Sequence, residues 1–306
     1  MAEQAVRPQA APTFSTVRAA RGPGRTIQWV LVYLLVTIGA AASMLPFVWT
    51  FLSSGKTISE LYRYPPTWWP EQMMFVPNYI EIFQVVPFAR WLYNTAVITV
   101  LSLLGTVISA TVVAYGFARF RIPGRDLFFF ITLSTIMLPV EVTLIPTYLL
   151  FKNFGWIDTW YPLWVPSWFG GGAFNIFLMR QFIMAIPFDL DEAARLDGAS
   201  SWRILWQIIT PLCRPAIATV ATLGFITNWN NFLGPLIFLN TESKYTVAVG
   251  LRYFQSAVAG GAGAVSRPQD HLLMGAALMV ALPCLILFFV AQKYFVQGIV
   301  TTGIKG

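Results

Sequence analysis

The sequence predicts an all-α membrane protein with six transmembrane helices, and three observations carry that reading. Of 306 residues, 57% are hydrophobic and only 11% are charged, against about 25% charged in a soluble domain. The apolar residues recur in runs of about 20 or more, each long enough to cross a hydrocarbon core of roughly 30 Å. The basic residues concentrate in alternate segments between those runs, as topology in a bilayer requires. Lipid offers no partner for unpaired backbone N–H and C=O groups, so the runs must be helices.

Residues 1–26 are rich in Ala, Pro and Arg without an apolar period and read as a disordered tail. Residues 27–306 form the predicted six-helix domain. Its first span covers about Ile27 to Leu52. Ala40-Ala41-Ala42 resembles a signal-peptide cleavage pattern, but the apolar run continues through Pro46, Phe47 and Trp49, longer than such a leader needs, so the helix is expected to be retained. Further spans are expected at about Trp91–Phe117, Leu127–Phe151, Tyr161–Ile186, Pro211–Leu239 and Leu272–Phe295, the fourth interrupted by Gly170-Gly171-Gly172. The Pro and Gly residues within them mark kinks and close helix contacts.

With the N-terminus placed inside, the inner segments hold Arg7, Arg18, Arg21 and Arg25, then Arg119, Arg121 and Arg125. Arg180, Arg195, Arg203 and Arg214 follow, with Lys293 and Lys305 last, making 13 of the 20 basic residues. This bias predicts that both termini are cytoplasmic. The net charge of +7 is then a topology signal and not a nucleic-acid footprint. Trp68, Trp69, Trp156, Trp160 and Trp164 fall at outer span ends, where amphipathic rings favour the headgroup zone. Cys213 and Cys284 lie far apart at or inside apolar runs and suggest neither a disulfide framework nor a zinc site.

Between spans four and five, about residues 187–210, the chain spells two short helices. Asp189 can cap the first, acidic residues fill its opening turns, and Gly198 suits a left-handed position at its end. Ser200 or Ser201 can cap the second. Leu190, Ala193, Ala194 and Asp197 fall at three- and four-residue spacing, a narrow face that another protein could approach closely. Periodicity alone is equally satisfied by an ordinary amphipathic loop helix.

The string Glu192-Ala193-Ala194, then Gly198, Ile208 and Thr210-Pro211 resembles the EAA loop of ABC importer permeases, with Thr210 in place of the usual Leu. Beyond the tail, nearly the whole chain resembles the carbohydrate-uptake permeases of the maltose G-subunit type. The strings that carry this include Tyr115-Gly116-Phe117-Ala118-Arg119, Ile122-Pro123-Gly124-Arg125, Phe177-Leu178-Met179-Arg180-Gln181-Phe182 and Trp229-Asn230-Asn231-Phe232. The resemblance implies a type I ABC importer permease fold in a bacterial inner membrane. It implies import of a sugar or related polyol by one half of a permease heterodimer, with two ATPase subunits and an extracytoplasmic substrate-binding protein. ATP and Mg would be bound by the ATPase partners, and no cofactor is expected in this chain. Glu192, Ala193, Ala194, Asp197 and Gly198 would form the coupling helix that sits in a cleft of an ATPase subunit.

Other residues carry weaker expectations. Ser54-Gly55-Lys56-Thr57 looks like the end of a phosphate-binding loop, but Thr50 stands where the first glycine belongs and no strand precedes it. His271 is the single histidine and has no partners at metal or catalytic spacing, so neither a metal site nor catalysis is expected. Glu141 lies near the middle of span three, where a carboxylate should face protein or a watery cavity. Asn228, Asn230 and Asn231 lie beside Trp229 in the outer half of span five, as amides and a ring that could bind sugar or join helices. These four polar residues are candidates for the substrate pathway. Two rival readings remain, an ion-coupled secondary transporter with Glu141 as its proton site and a membrane-embedded enzyme, and neither gives the EAA-like segment a role.

Overall fold

The computed structural model describes residues 23–258 and 269–302, with side chains over 27–256 and 269–292. The chain divides into two units, Met1–Trp49 and Thr50–Gly306. Among the described residues, all regular structure is helical.

Helix α1, Pro23–Ser54, begins in the first unit. It starts four residues before the expected Ile27, with Pro23 in the first position, where a missing N–H costs nothing. Residues 1–22 of the expected tail lie outside the described residues. Over residues 27–49 the side chains are exposed almost all round, Leu35 and Val36 among them. A helix of this length in which Gln28, Thr37 and Ser43 are the polar residues over 27–49 suits a lipid environment.

In the second unit, α2 (Ile58–Leu61) and α3 (Phe75–Val85) precede α4 (Phe88–Arg119), which packs most extensively against the later helices that run over 173–185 and 214–229. After it come α5 (Arg125–Ser134), α6 (Val140–Asn153), α7 (Tyr161–Trp164) and α8 (Ala173–Ala185). The connecting segment holds α9 (Asp189–Leu196), α10 (Ser201–Ile204) and α11 (Thr210–Leu212). The chain continues with α12 (Arg214–Trp229), α13 (Leu233–Phe238), α14 (Val247–Val258) and α15 (Asp270–Thr302).

Three helices, over Ile27–Ser54, Phe88–Arg119 and Asp270–Gln292, are each long and apolar enough to span a bilayer unbroken. Three further candidates are bent pairs, so six spans are reached only by counting each pair as one. Expected span three bends by 100° between Met137 and Val140, because Pro139 has no N–H and holds Leu138 in an extended conformation. The segment leading into span five bends by 79° between Leu212 and Arg214, and Pro211 and Pro215 flank the elbow. A π-helical turn over Leu205–Ile209 precedes that elbow, and Thr210 Oγ1 donates to Leu205 O at 2.7 Å. Span five itself is not continuous to Leu239; α12 stops at Trp229 and α13 begins at Leu233.

The glycine interruption in the fourth span is a packing device against α4. Gly171 has φ +66°, and a Cβ there would stand 2.6 Å from Thr106 O, so only glycine allows this approach. Ser102 Oγ donates to Leu163 O at 3.1 Å, Ser109 Oγ to Ser167 O at 3.0 Å and Trp168 Nε1 to Leu101 O at 3.2 Å. Small hydroxyl side chains thus satisfy the irregular backbone that the break exposes.

The Trp91 end of α4 is covered by residues 240–247. Trp91 Nε1 donates to Glu242 O at 3.3 Å, and Asn94 Nδ2 to Ser243 O at 2.9 Å and Tyr245 O at 2.8 Å. Asp158 anchors the same strap, accepting from the Asn240 and Thr241 amides, Thr241 Oγ1 and Lys244 Nζ. The Arg119 end of α4 meets α8, α9 and the start of α12 in one apolar cluster.

Candidate functional site

The candidate site is the α9 segment, and its local geometry follows from its sequence. Pro187 cannot continue α8. Phe188, and not the expected Asp189, takes the N-cap position without a side-chain cap bond, and Asp189 becomes the first helical residue. Asp189, Asp191 and Glu192 occupy the first turn, where the macrodipole favours negative charge. At the other end Gly198 has φ +79°. Gly198 N donates to Arg195 O at 3.0 Å and Ala199 N to Ala194 O at 2.9 Å, the paired bonds of a Schellman stop. Ser200 Oγ then accepts from Arg203 N at 3.3 Å and caps α10.

Burial divides α9 into two faces, and the division corrects the expected docking face. Leu190, Glu192, Ala193, Asp197 and Gly198 are exposed, whereas Ala194 is buried in the cluster that contains Ile183, Ile204 and Ile209. Ala194 therefore packs toward the spans and does not belong to the outward face. Leu196, which periodicity did not single out, is 90% exposed, more than Leu190, and is the most exposed large apolar side chain of α9.

Sequence reasoning also missed the polar centre of the inward face. Asp191 is completely buried, and its Oδ2 lies 3.2 Å from Nη2 of Arg119, the last residue of α4. The same guanidinium donates to Ile186 O at 3.0 Å, just past the end of α8, and lies 5.5 Å from the Phe188 ring. Burial pushes the Asp191 carboxyl above the ordinary carboxylate range, a rise that the positive Arg119 and Arg195 oppose. An acid three residues before the inward Ala194 was the available signal, but nothing in the spacing pointed to Arg119.

The three amides, expected either to bind sugar or to join helices, bond mainly to their own segment of the chain. Asn228 Nδ2 donates to Gly224 O at 2.8 Å and Asn230 Nδ2 to Ile226 O at 2.9 Å, both carbonyls of α12, and Asn230 Nδ2 also stands 3.9 Å from Cys284 Sγ on α15. Asn231 Oδ1 accepts from Gly234 N at 3.2 Å, in the first turn of α13. Trp229 is buried, donates from Nε1 to Val280 O at 3.0 Å and stacks on Phe225, so its ring fastens α12 to α15 and is not offered beside the amides. Glu141 is exposed in the first turn of α6, directly after the Pro139 break. Lys56 of the loop-like string is buried and donates to Thr67 O, and the segment directly follows helix α1.

Residues 107–301, which include all three bent pairs and the whole α9 segment, match the family described as binding-protein-dependent transport system inner membrane component. The chain belongs to that family. The permease is 29% identical over 287 residues to the "Probable ABC transporter permease protein YurM" of Bacillus subtilis (strain 168), covering 92% of this chain and 89% of the relative. It is 32% identical over 285 residues to the sn-glycerol-3-phosphate transport system permease protein UgpE of Brucella abortus (strain 2308), covering 91% and 98%. Among solved structures it matches a chain of a bacterial ABC transporter involved in import of the acidic polysaccharide alginate. That match has a TM-score of 0.78 and 26% identity, covering 93% of this chain and 100% of that one. The permease therefore has the type I ABC importer fold, and its family role is that of a membrane permease subunit.

Proposed function

We propose that the permease imports a carbohydrate, polyol or polyol phosphate across a bacterial cytoplasmic membrane, driven by ATP hydrolysis in separate subunits that dock on α9. The single observation that carries the reading is the two-sided construction of α9. Its Glu192, Ala193, Leu196 and Asp197 face outward, while Asp191 and Ala194 are buried against α4 and α8. A short helix closed by a Schellman stop moves as a rigid body, so a push on its outer face displaces the spans beneath. Ala194 acts from the inner face and the other four proposed coupling residues, Glu192, Ala193, Asp197 and Gly198, from the outer one. The substrate class is supported by the printed roles of the relatives, one transporting sn-glycerol-3-phosphate and another system importing alginate.

In this reading the permease pairs with a second permease subunit as a heterodimer. Two ATPase subunits, which bind ATP and Mg, sit on the cytoplasmic side with both permease termini, and a substrate-binding protein delivers cargo on the other side. Glu141 and Asn230 are exposed at helix breaks and are assigned to the pathway, with Asn228 and Asn231 shaping the α12–α13 break behind them. The test is tracer uptake by the complex reconstituted with its binding protein. Uptake that requires internal ATP and survives collapse of ion gradients is expected. Uptake that persists without ATP and stops with the gradient would favour Glu141-linked ion coupling instead.

A further inference from the structure

We propose that Arg119 and Asp191 are the positioning pair that carries movement of α9 into the second and fourth spans, a role that rests on the coupling function proposed above. One guanidinium touches three elements: it ends α4, donates to Ile186 O just past α8, and stands 3.2 Å from Asp191 on α9. Asp191 and Arg119 keep side-chain exposures of only 0% and 4%, so the pair is not a screened surface contact.

As a stabilising device the pair is poorly made. Both Asp191 oxygens, Arg119 Nε and the Tyr115 hydroxyl are buried without a well-formed hydrogen bond among the described residues. A buried ion pair offsets its desolvation only with excellent geometry and satisfied lone pairs, and apolar side chains of similar volume commonly serve stability as well or better. The arrangement suits a joint with a second, tighter register. A small shift of α9 along α4 would bring Nε and Nη2 to face Asp191 as a two-pronged contact, or bring the Tyr115 hydroxyl to the carboxylate. Arg119, Arg195 and Tyr115 are the charged or titratable groups that surround Asp191. Movement imposed on the exposed outer face would thus leave α9 through Asp191, turning α4 and the end of α8 together.

The experiment uses the full complex, with both permease subunits, the ATPase subunits and the binding protein, in proteoliposomes. ATP consumed per substrate moved is measured for wild type and for the double variant Arg119→Met/Asp191→Leu, which leaves no charge buried. The proposal predicts at least a tenfold rise in that ratio with the complex still assembled. A wild-type ratio would show that the pair serves packing alone and overturn the proposal. If the double variant fails to assemble, Asp191→Asn keeps the shape and removes the charge, and the same two outcomes decide. A wild-type complex without ATP-dependent uptake would refute the proposed function itself, and this role with it.

Discussion

Substituting Gly198 separates a rigid coupling helix from a merely amphipathic one. The residue has φ +79°, and a Cβ built on it meets nothing within 4 Å, so the penalty is one of backbone conformation and not of space. For an L-residue the left-handed region costs about 1–2 kcal/mol, less for Asn and more for a β-branched side chain. The competing arrangement gives up the bonds of Gly198 N and Ala199 N, each contributing about 0.5–1.5 kcal/mol. The two terms are comparable, so Gly198→Val should shift the balance between the closed and open helix end by roughly tenfold, since about 1.4 kcal/mol is a factor of ten. Gly198→Asn should shift it little. Substrate-stimulated ATPase activity and tracer uptake, measured side by side in the reconstituted complex, should fall together several-fold in the Val variant. Insertion should be unchanged because the site is exposed. Equal uptake for Val, Ala and Asn at this position would refute the reasoning.

Glu192→Lys reverses a charge in the first turn of α9 on its exposed face; about 0.5 kcal/mol of helix stability is lost, while stimulated ATPase should drop at least tenfold, read against membrane content by immunoblot. Gly171→Ala meets both a positive φ and the Thr106 carbonyl, and should destabilise the solubilised protein by about 2–3 kcal/mol, seen as a lower thermal midpoint. Burial pushes the Asp158 carboxyl up, but Lys244, Thr241 and the Asn240 and Thr241 amides outweigh it and hold the group well below its ordinary 3.8. A depressed folded-state value means that its stability contribution is present above 3.8 and fades as pH falls below it. Asp158→Ala should therefore cost about 1–2 kcal/mol near neutral pH, and the gap between the variant's thermal midpoint and the wild type's should close toward pH 2.

Fold class was legible because lipid leaves helices as the spanning solution and the apolar runs have the length of a bilayer. The positions of the breaks were legible only in part. Gly170-Gly171-Gly172 announced one interruption, yet Pro139 was read inside a continuous span although it holds Leu138 extended. The break after Trp229 was missed because Asn230 and Asn231 were weighed only as sugar ligands or helix-joining amides, whereas their side chains also bond the backbone on either side of the break. On α9 the spacing rule placed Ala193 and Ala194 on one face, but 100° of helical rotation between neighbours suffices to expose one and bury the other. Arg119 and Asp191 lie 72 positions apart, and only the folded packing of α4 against α8 brings them together.

Cross-linking from Leu196→Cys, in a chain whose Cys213 and Cys284 are replaced, tests the docking of α9 most directly. The side chain is 90% exposed, so the new thiol should be reactive without disturbing the fold. Expected is a covalent product with the ATP-hydrolysing subunit, whose yield changes when ATP is added. Labelling of the same thiol from outside intact cells by a membrane-impermeant maleimide, with no ATPase cross-link, would contradict the account.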